Sequence, residues 1–136
     1  MSKKKENNSV TRSEAIGIYN IILNLEGGGL SREAMCRYMP LRMKLKQLSA
    51  DFEELRQETV KQCKPAGLDE AEGIDKETMQ KQYNEDVNAV LGDWMKEKSG
   101  IDLQVFSMEE ALDLIMYNKN LKGSEADFIV QYFVKP

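Results

Sequence analysis

Three consecutive glycines, Gly27, Gly28 and Gly29, stand just ahead of a helix start and are followed by Arg32, Arg37, Arg42, Lys44 and Lys46. Free backbone N–H groups beside basic side chains are the chemistry of phosphate binding. A P-loop, however, needs GxxxxGK[ST] behind a strand, so that the backbone wraps the phosphates and lysine reaches them. Here a helical pattern precedes Gly27, and none of the three glycines is followed by lysine. The dinucleotide pattern GxGxxG fails as well, because Arg32 stands where the third glycine belongs. The glycines read instead as a helix end, with Gly27 as the left-handed C-terminal residue, and a short turn into the next helix.

Other reactive side chains are few. The chain has no histidine, which excludes imidazole catalysis, Ser-His and Cys-His dyads and histidine zinc sites. Cys36 and Cys63 are too far apart for a CxxC pair and read as small packing residues. The acid pairs Glu53 and Glu54, Glu85 and Asp86, and Glu109 and Glu110 have the look of solvated helix faces. With no HExxH spacing and no nucleophile elbow, no catalytic, cofactor-binding or metal-ligating residue is assigned.

Helices must position what remains. "TRSE" at 11–14 is a capping box, in which the Thr11 hydroxyl and the Glu14 carboxylate each accept a backbone N–H of the other's residue. The helix it opens has Ala15, Ile16, Ile18, Tyr19, Ile22 and Leu23 on a broad apolar face and runs to about Glu26. Ser31 caps a second helix. On it Ala34, Tyr38, Leu41, Leu45, Leu48, Phe52 and Leu55 recur in steps of four and three, a seam of nearly three heptads that Thr59 extends. Pro40, inside the seam, predicts a kink or a break. Met35, Met39 and Met43 draw a second apolar line, so this helix needs cover on two sides. The first helix, folded back through the glycines, supplies one side, and a third helix or another subunit supplies the other.

An exposed acidic linker is expected at about 64–75, with Asp75 capping a third helix that runs to about Lys98. Met79, Tyr83, Val87, Val90, Leu91 and Trp94 lie on one side of that helix, Trp94 as a core anchor, and Ser99 with Gly100 stops it. The alternation of residues 101–106 predicts a short half-buried strand whose partner is the acidic linker, another chain, or none. Ser107 and, more loosely, Ser124 open two short helices. Ala111, Leu112, Ile115 and Met116 are expected to face inward from the first, and Phe128, Ile129, Tyr132 and Phe133 from the second. The expected fold is therefore mainly α, an αα-hairpin plus long amphipathic helices in a small bundle, with one extended segment near 101–106 and two short C-terminal helices. Residues 1–10 read as a disordered basic tail and 11–136 as a single helical domain.

Composition agrees with that architecture. At 136 residues, 41% hydrophobic and 31% charged with 9 Gly and 3 Pro, the chain can bury one core. A net charge of -4 excludes a surface that is basic all round, though not a local stripe. No leader pattern or spanning run is present, so a cytoplasmic protein without membrane contact is expected. Candidate partner-interface residues are Tyr38, Leu41, Leu45, Leu48, Phe52 and Leu55. Arg37, Arg42, Lys44 and Lys46 are candidates for contact with phosphates or an acidic partner.

Two stretches, "IYNIILNLEGGGLSREAMCRYMPLRMKLKQLSADFEELRQE" and "VFSMEEALDLIMYNKNLKGSEADFIVQYFV", resemble short helical proteins of unknown function encoded by tailed phages and prophages. The shared pattern is a "YN" helix at Tyr19 and Asn20, a turn, a helix with a basic middle running into acids over 45–58, and late short helices. It covers most of the chain apart from the tail and linker. Pro40 and the methionines depart from it, and no site residue transfers. The resemblance implies a phage-type accessory or assembly role, associated with the virion if the gene is phage-borne. The expected function is non-enzymatic, through helix-mediated interaction or self-association as a homo-oligomer, without a cofactor. The alternative is a nucleic-acid-binding accessory protein that uses the basic stripe at 32–46.

Overall fold

Capping residues set the element order. In the structure, a computed structural model that describes residues 9–136, β1 (Ser9–Thr11) leads into α1 (Arg12–Ile22), α2 (Arg32–Cys63) and α3 (Gly73–Lys96). β2 (Lys98–Asp102), α4 (Met108–Tyr117) and α5 (Gly123–Phe133) follow. The fold is mainly α, a small bundle with one two-stranded antiparallel sheet. Thr11 Oγ1 accepts the Glu14 N–H at 3.2 Å and Glu14 Oε1 accepts the Thr11 N–H at 3.2 Å, the reciprocal box read from the sequence. Ser31 caps α2 through the Ala34 N–H, and Ser107 with Glu110 closes a second box at α4. At α5 the cap shifts: Ser124 lies inside the first turn, and Glu125 accepts the Lys122 N–H at 3.1 Å.

Several boundaries differ from expectation. α1 stops at Ile22 rather than near Glu26, as the Leu25 N–H turns back to the Ile22 carbonyl at 3.0 Å. Gly27 has no positive φ; among the described residues that conformation occurs at Gly67, Gly73 and Gly100. α2 is not broken at Pro40 but runs through it for 32 residues. Pro40 and Cys36, one turn back, are both exposed, so water can take the carbonyl that the missing N–H leaves free. α3 begins at Gly73, with Asp75 in its first turn rather than at its cap. A carboxylate there still favours the helix through the dipole.

The extended segment lies earlier than 101–106, and its partner is a surprise. β2 at Lys98–Asp102 pairs with β1, with Ser9 opposite Asp102, Thr11 opposite Lys98 and a bulge between. Gly100, at φ 72°, donates its N–H to Ser9 Oγ at 2.9 Å. Residues 9 and 10, expected in a disordered tail, are thus part of the sheet, while the rest of that expectation falls outside the described residues. Phe106 bridges separately to the chain's end: its N–H donates to the Phe133 carbonyl, and Lys135 donates back to it, both at 2.9 Å.

The molecule divides along α2. Its first half places Ala34, Tyr38, Leu41 and Leu45 in a core with Ala15, Ile18 and Ile22 of α1 and Leu114, Ile129 and Phe133 of α4 and α5. Phe106 sits at the centre, 5.4 Å from the Tyr38 ring and 6.2 Å from Phe133. This is the head. The second half of α2 leaves the head and pairs with α3 alone, antiparallel, since Phe52 meets Trp94 at 5.7 Å while Tyr83 Oη donates to the Val60 carbonyl at 2.7 Å. Residues 64–72 turn at the tip of this arm, with Leu68 tucked in and Lys64 paired to Asp69 at 2.9 Å. Trp94 is only half-buried and marks the junction of arm and head, where the Arg12 guanidinium lies 4.6 Å over its ring.

Candidate functional site

The interface seam of the sequence splits between these two parts. Tyr38, Leu41 and Leu45 are buried by the chain's own head, which leaves them nothing to offer a partner. Leu48 is half-buried against the head core, while Phe52 and Leu55 are half-buried in the arm, where Phe52 meets Trp94 of α3. A heptad seam states that a helix needs cover along that line, and here the cover is intramolecular. Tyr38 has one loose end: its hydroxyl is buried without a hydrogen-bond partner among the described residues, and burial pushes its pKa up.

Two of the four candidate phosphate ligands are also committed internally. Arg37 grips Glu110 in a two-pronged pair, Nη1 to Oε1 at 3.0 Å and Nη2 to Oε2 at 2.6 Å, and Nη1 also donates to the Val105 carbonyl. The Arg37 hydrogen bonds, joined by the Ser107 N–H, hold the Glu110 carboxyl down from 4.5 to about 2. Arg42 donates to the Leu23 carbonyl at 2.8 Å and the Leu25 carbonyl at 3.1 Å, closing the C-terminal end of α1. Lys44 and Lys46 are exposed and form no ion pair among the described residues. The expected stripe therefore reduces to two lysines, with Arg32 exposed near the start of α2.

What the fold leaves uncovered is a different set. α3 runs for 24 residues without one buried side chain, because a two-helix arm covers each helix on one side only. Met79, Tyr83, Val87, Leu91 and Trp94 are half-buried, and Val90 is 43% exposed. On the outer face of α2, Met39 and Met43 lie on the same side as Arg32 and Lys46, with Met43 66% exposed. Of the second apolar line, Met35 packs against the head core, while Met39 and Met43 have no cover among the described residues. On α4, Leu112 and Met116 point outward rather than inward, in line with Met108; Ala111 and Leu114 are the buried pair. Phe128 is also more exposed than expected and stacks on Tyr132 at 4.8 Å.

Charge follows the same division. Residues 1–46 and 97–136 carry 13 basic and 11 acidic side chains, whereas the arm, residues 47–96, carries six basic and twelve acidic. The basic excess lies on the first half of α2, where Arg32, Arg37, Arg42, Lys44 and Lys46 are opposed only by Glu33. The long α2 is thus basic where it joins the head and runs into an acidic arm. The arm's Arg56–Glu53 pair joins neighbours on one helix and leaves the net charge as it is. Among the described residues no group of three metal-ligating side chains gathers, and no helix is long and apolar enough to cross a membrane.

Sequence reasoning missed Glu110 as the partner of Arg37 and Tyr117 as the cover of the glycine turn. A Cβ at Gly28 would lie 2.5 Å from the Tyr117 ring, and one at Gly29 would lie 2.9 Å from the Asp113 carbonyl. Gly28 and Gly29 are small because α4 packs directly on their backbone, and Gly27 because the Met35 side chain of α2 lies against it. Glu110 had a local signal, its place in the "SMEE" box, but nothing local points to an arginine 73 positions away. No family model, curated protein or solved structure matches the chain.

Proposed function

We propose that the protein is a non-enzymatic accessory or assembly protein that acts by self-association. Two copies lie antiparallel, so that the acidic arm of each meets the basic, methionine-bearing outer face of the other's α2. The observation that carries this reading is the polarity of α2 and the arm it forms with α3, basic with Met39 and Met43 uncovered at one end, acidic with a line of half-buried apolar side chains on α3 at the other. A two-fold antiparallel pair satisfies both ends at once and closes on itself. Arm against arm would instead set two strongly acidic surfaces together. The tailed-phage resemblance supplies a setting for such an assembly role, on sequence pattern alone.

Light scattering across a range of concentration and salt tests the proposal. At low ionic strength the mass should approach twice 15.6 kDa, and it should fall toward 15.6 kDa as salt screens the contact. Reversing the basic face with Arg32→Glu and Lys46→Glu, both exposed beside Met39 and Met43, should hold the protein at the single-chain mass. A monomer at every concentration, or a dimer that salt strengthens, would sink it. The nucleic-acid alternative is weaker, since Arg37 and Arg42 are engaged within the chain and only Lys44 and Lys46 remain of its four contacts.

A further inference from the structure

Four of the chain's eight asparagines meet in one place. Asn20 on α1 and Asn24 in the turn just after it line an open cleft of about 470 Å³ together with Asn118 and Asn120 from the turn between α4 and α5. Within this quartet only Asn118 makes side-chain hydrogen bonds among the described residues. Its Nδ2 donates to the Glu26 carbonyl at 3.0 Å and the Leu114 carbonyl at 2.7 Å, and its Oδ1 accepts the Glu26 N–H at 2.9 Å. Asn118 is therefore a strut that fixes one wall of the cleft to the backbone of the other. Asn20, Asn24 and Asn120 are exposed, with their amides open to the cleft's solvent.

The remaining lining narrows the ligand class. Glu26 and Glu125 face a single Lys119 there, so the cleft does not select an anion. Carboxamides donate and accept at fixed spacing, which matches a molecule whose neighbouring groups also do both. Vicinal hydroxyls of a sugar are such groups, and carboxylates accept from them equally well. Tyr117, 49% exposed at the cleft's edge and backed by the glycine turn, offers a flat apolar surface for the C–H face of a ring. A cleft of this volume falls within the range of small-molecule sites. We propose that it binds a neutral saccharide of one or two rings, with Asn20, Asn24 and Asn120 reading hydroxyls and Tyr117 as the stacking platform.

The test is a titration of the 15N-labelled full chain with glucose, galactose, mannose, N-acetylglucosamine and maltose, each to millimolar concentration. At least one of them should shift the side-chain amide signals of Asn24 and Asn120 saturably, and leave those of Asn84 and Asn88 on α3 unmoved. Asn24→Ala and Asn120→Ala remove no side-chain hydrogen bond among the described residues, so the fold should persist, which the rest of the amide spectrum checks. Each should weaken binding about three- to tenfold, the loss expected for one hydrogen-bonded pair. Three results would overturn the proposal: no shift with any of the five sugars, shifts unaltered by both substitutions, or shifts produced by tetra-alanine or inorganic phosphate and not by sugar.

Discussion

The head and the arm are built from one helix and obey different rules. In the head the first half of α2 is surrounded, and Tyr38 and Leu45 are at most 1% exposed. In the arm the second half of the same helix has one neighbour, and only Thr59 on it is buried. The seam repeats in steps of four and three through both. Heptad spacing therefore defines a line of contact, while the number of neighbouring elements decides how deeply that line is buried. Stability should be concentrated in the head and a partner's contribution felt in the arm.

The sharpest contrast is between two phenylalanines. Phe106→Ala, at 0% exposure between Tyr38 and Phe133, should cost about 3–5 kcal/mol, while Phe52→Ala in the arm should cost about 1–2 kcal/mol. Urea unfolding measures both, and equal losses would erase the distinction between the two regions. Next in size is a glycine pair. Gly29→Ala drives a methyl against the Asp113 carbonyl and should destabilise by about 1–3 kcal/mol. Gly92→Ala in α3 meets nothing within 4 Å and should stabilise its helix by up to about 1 kcal/mol.

Acid should loosen the head selectively. The Glu110 carboxyl is depressed to about 2 in the fold, so its pairing with Arg37 is fully in force above the unfolded carboxylate range. That contribution is lost as pH falls from about 4.5 toward 2. Glu110→Gln should lower stability at neutral pH by about 1–2 kcal/mol, allowing for solvent screening, and flatten the acid limb of a melting-temperature profile. An unchanged profile would mean that Arg37 finds an equivalent partner. The smallest effect belongs to Tyr38→Phe, which removes a buried hydroxyl that has no partner among the described residues and should leave stability unchanged or raise it by up to about 1 kcal/mol.

Local signals in the sequence predicted local structure well. The boxes at Thr11 and Ser107, the Ser31 cap and the heptad line through 34–55 each depend on residues within a few positions of one another, and each is present. Readings that required knowledge of a distant partner went astray. Nothing around Gly27 reveals that Arg42 takes the carbonyls at the end of α1, so the helix was expected to run on. The alternation over 101–106 contains no hint that Ser9–Thr11 supplies its partner strand, or that Phe106 pairs with the C-terminal segment. On α4, Leu112 and Ile115 are both large and apolar, and only the placement of α5 and the core decides which one turns outward. The asparagine cleft was illegible for the same reason, since its two walls come from residues about a hundred positions apart.

The pairing of Ser9 with Asp102 also sets a timetable for synthesis. At about 5–20 residues per second, roughly 5 to 20 s separate translation of β1 from that of β2. The hairpin of α2 and α3 involves nearer neighbours and closes a shorter loop, so it can assemble while β1 still has no partner. The arm should thus form on the nascent chain before the head, and Val10 with the inner face of α1 should be open to chaperones until the last third of the polypeptide arrives.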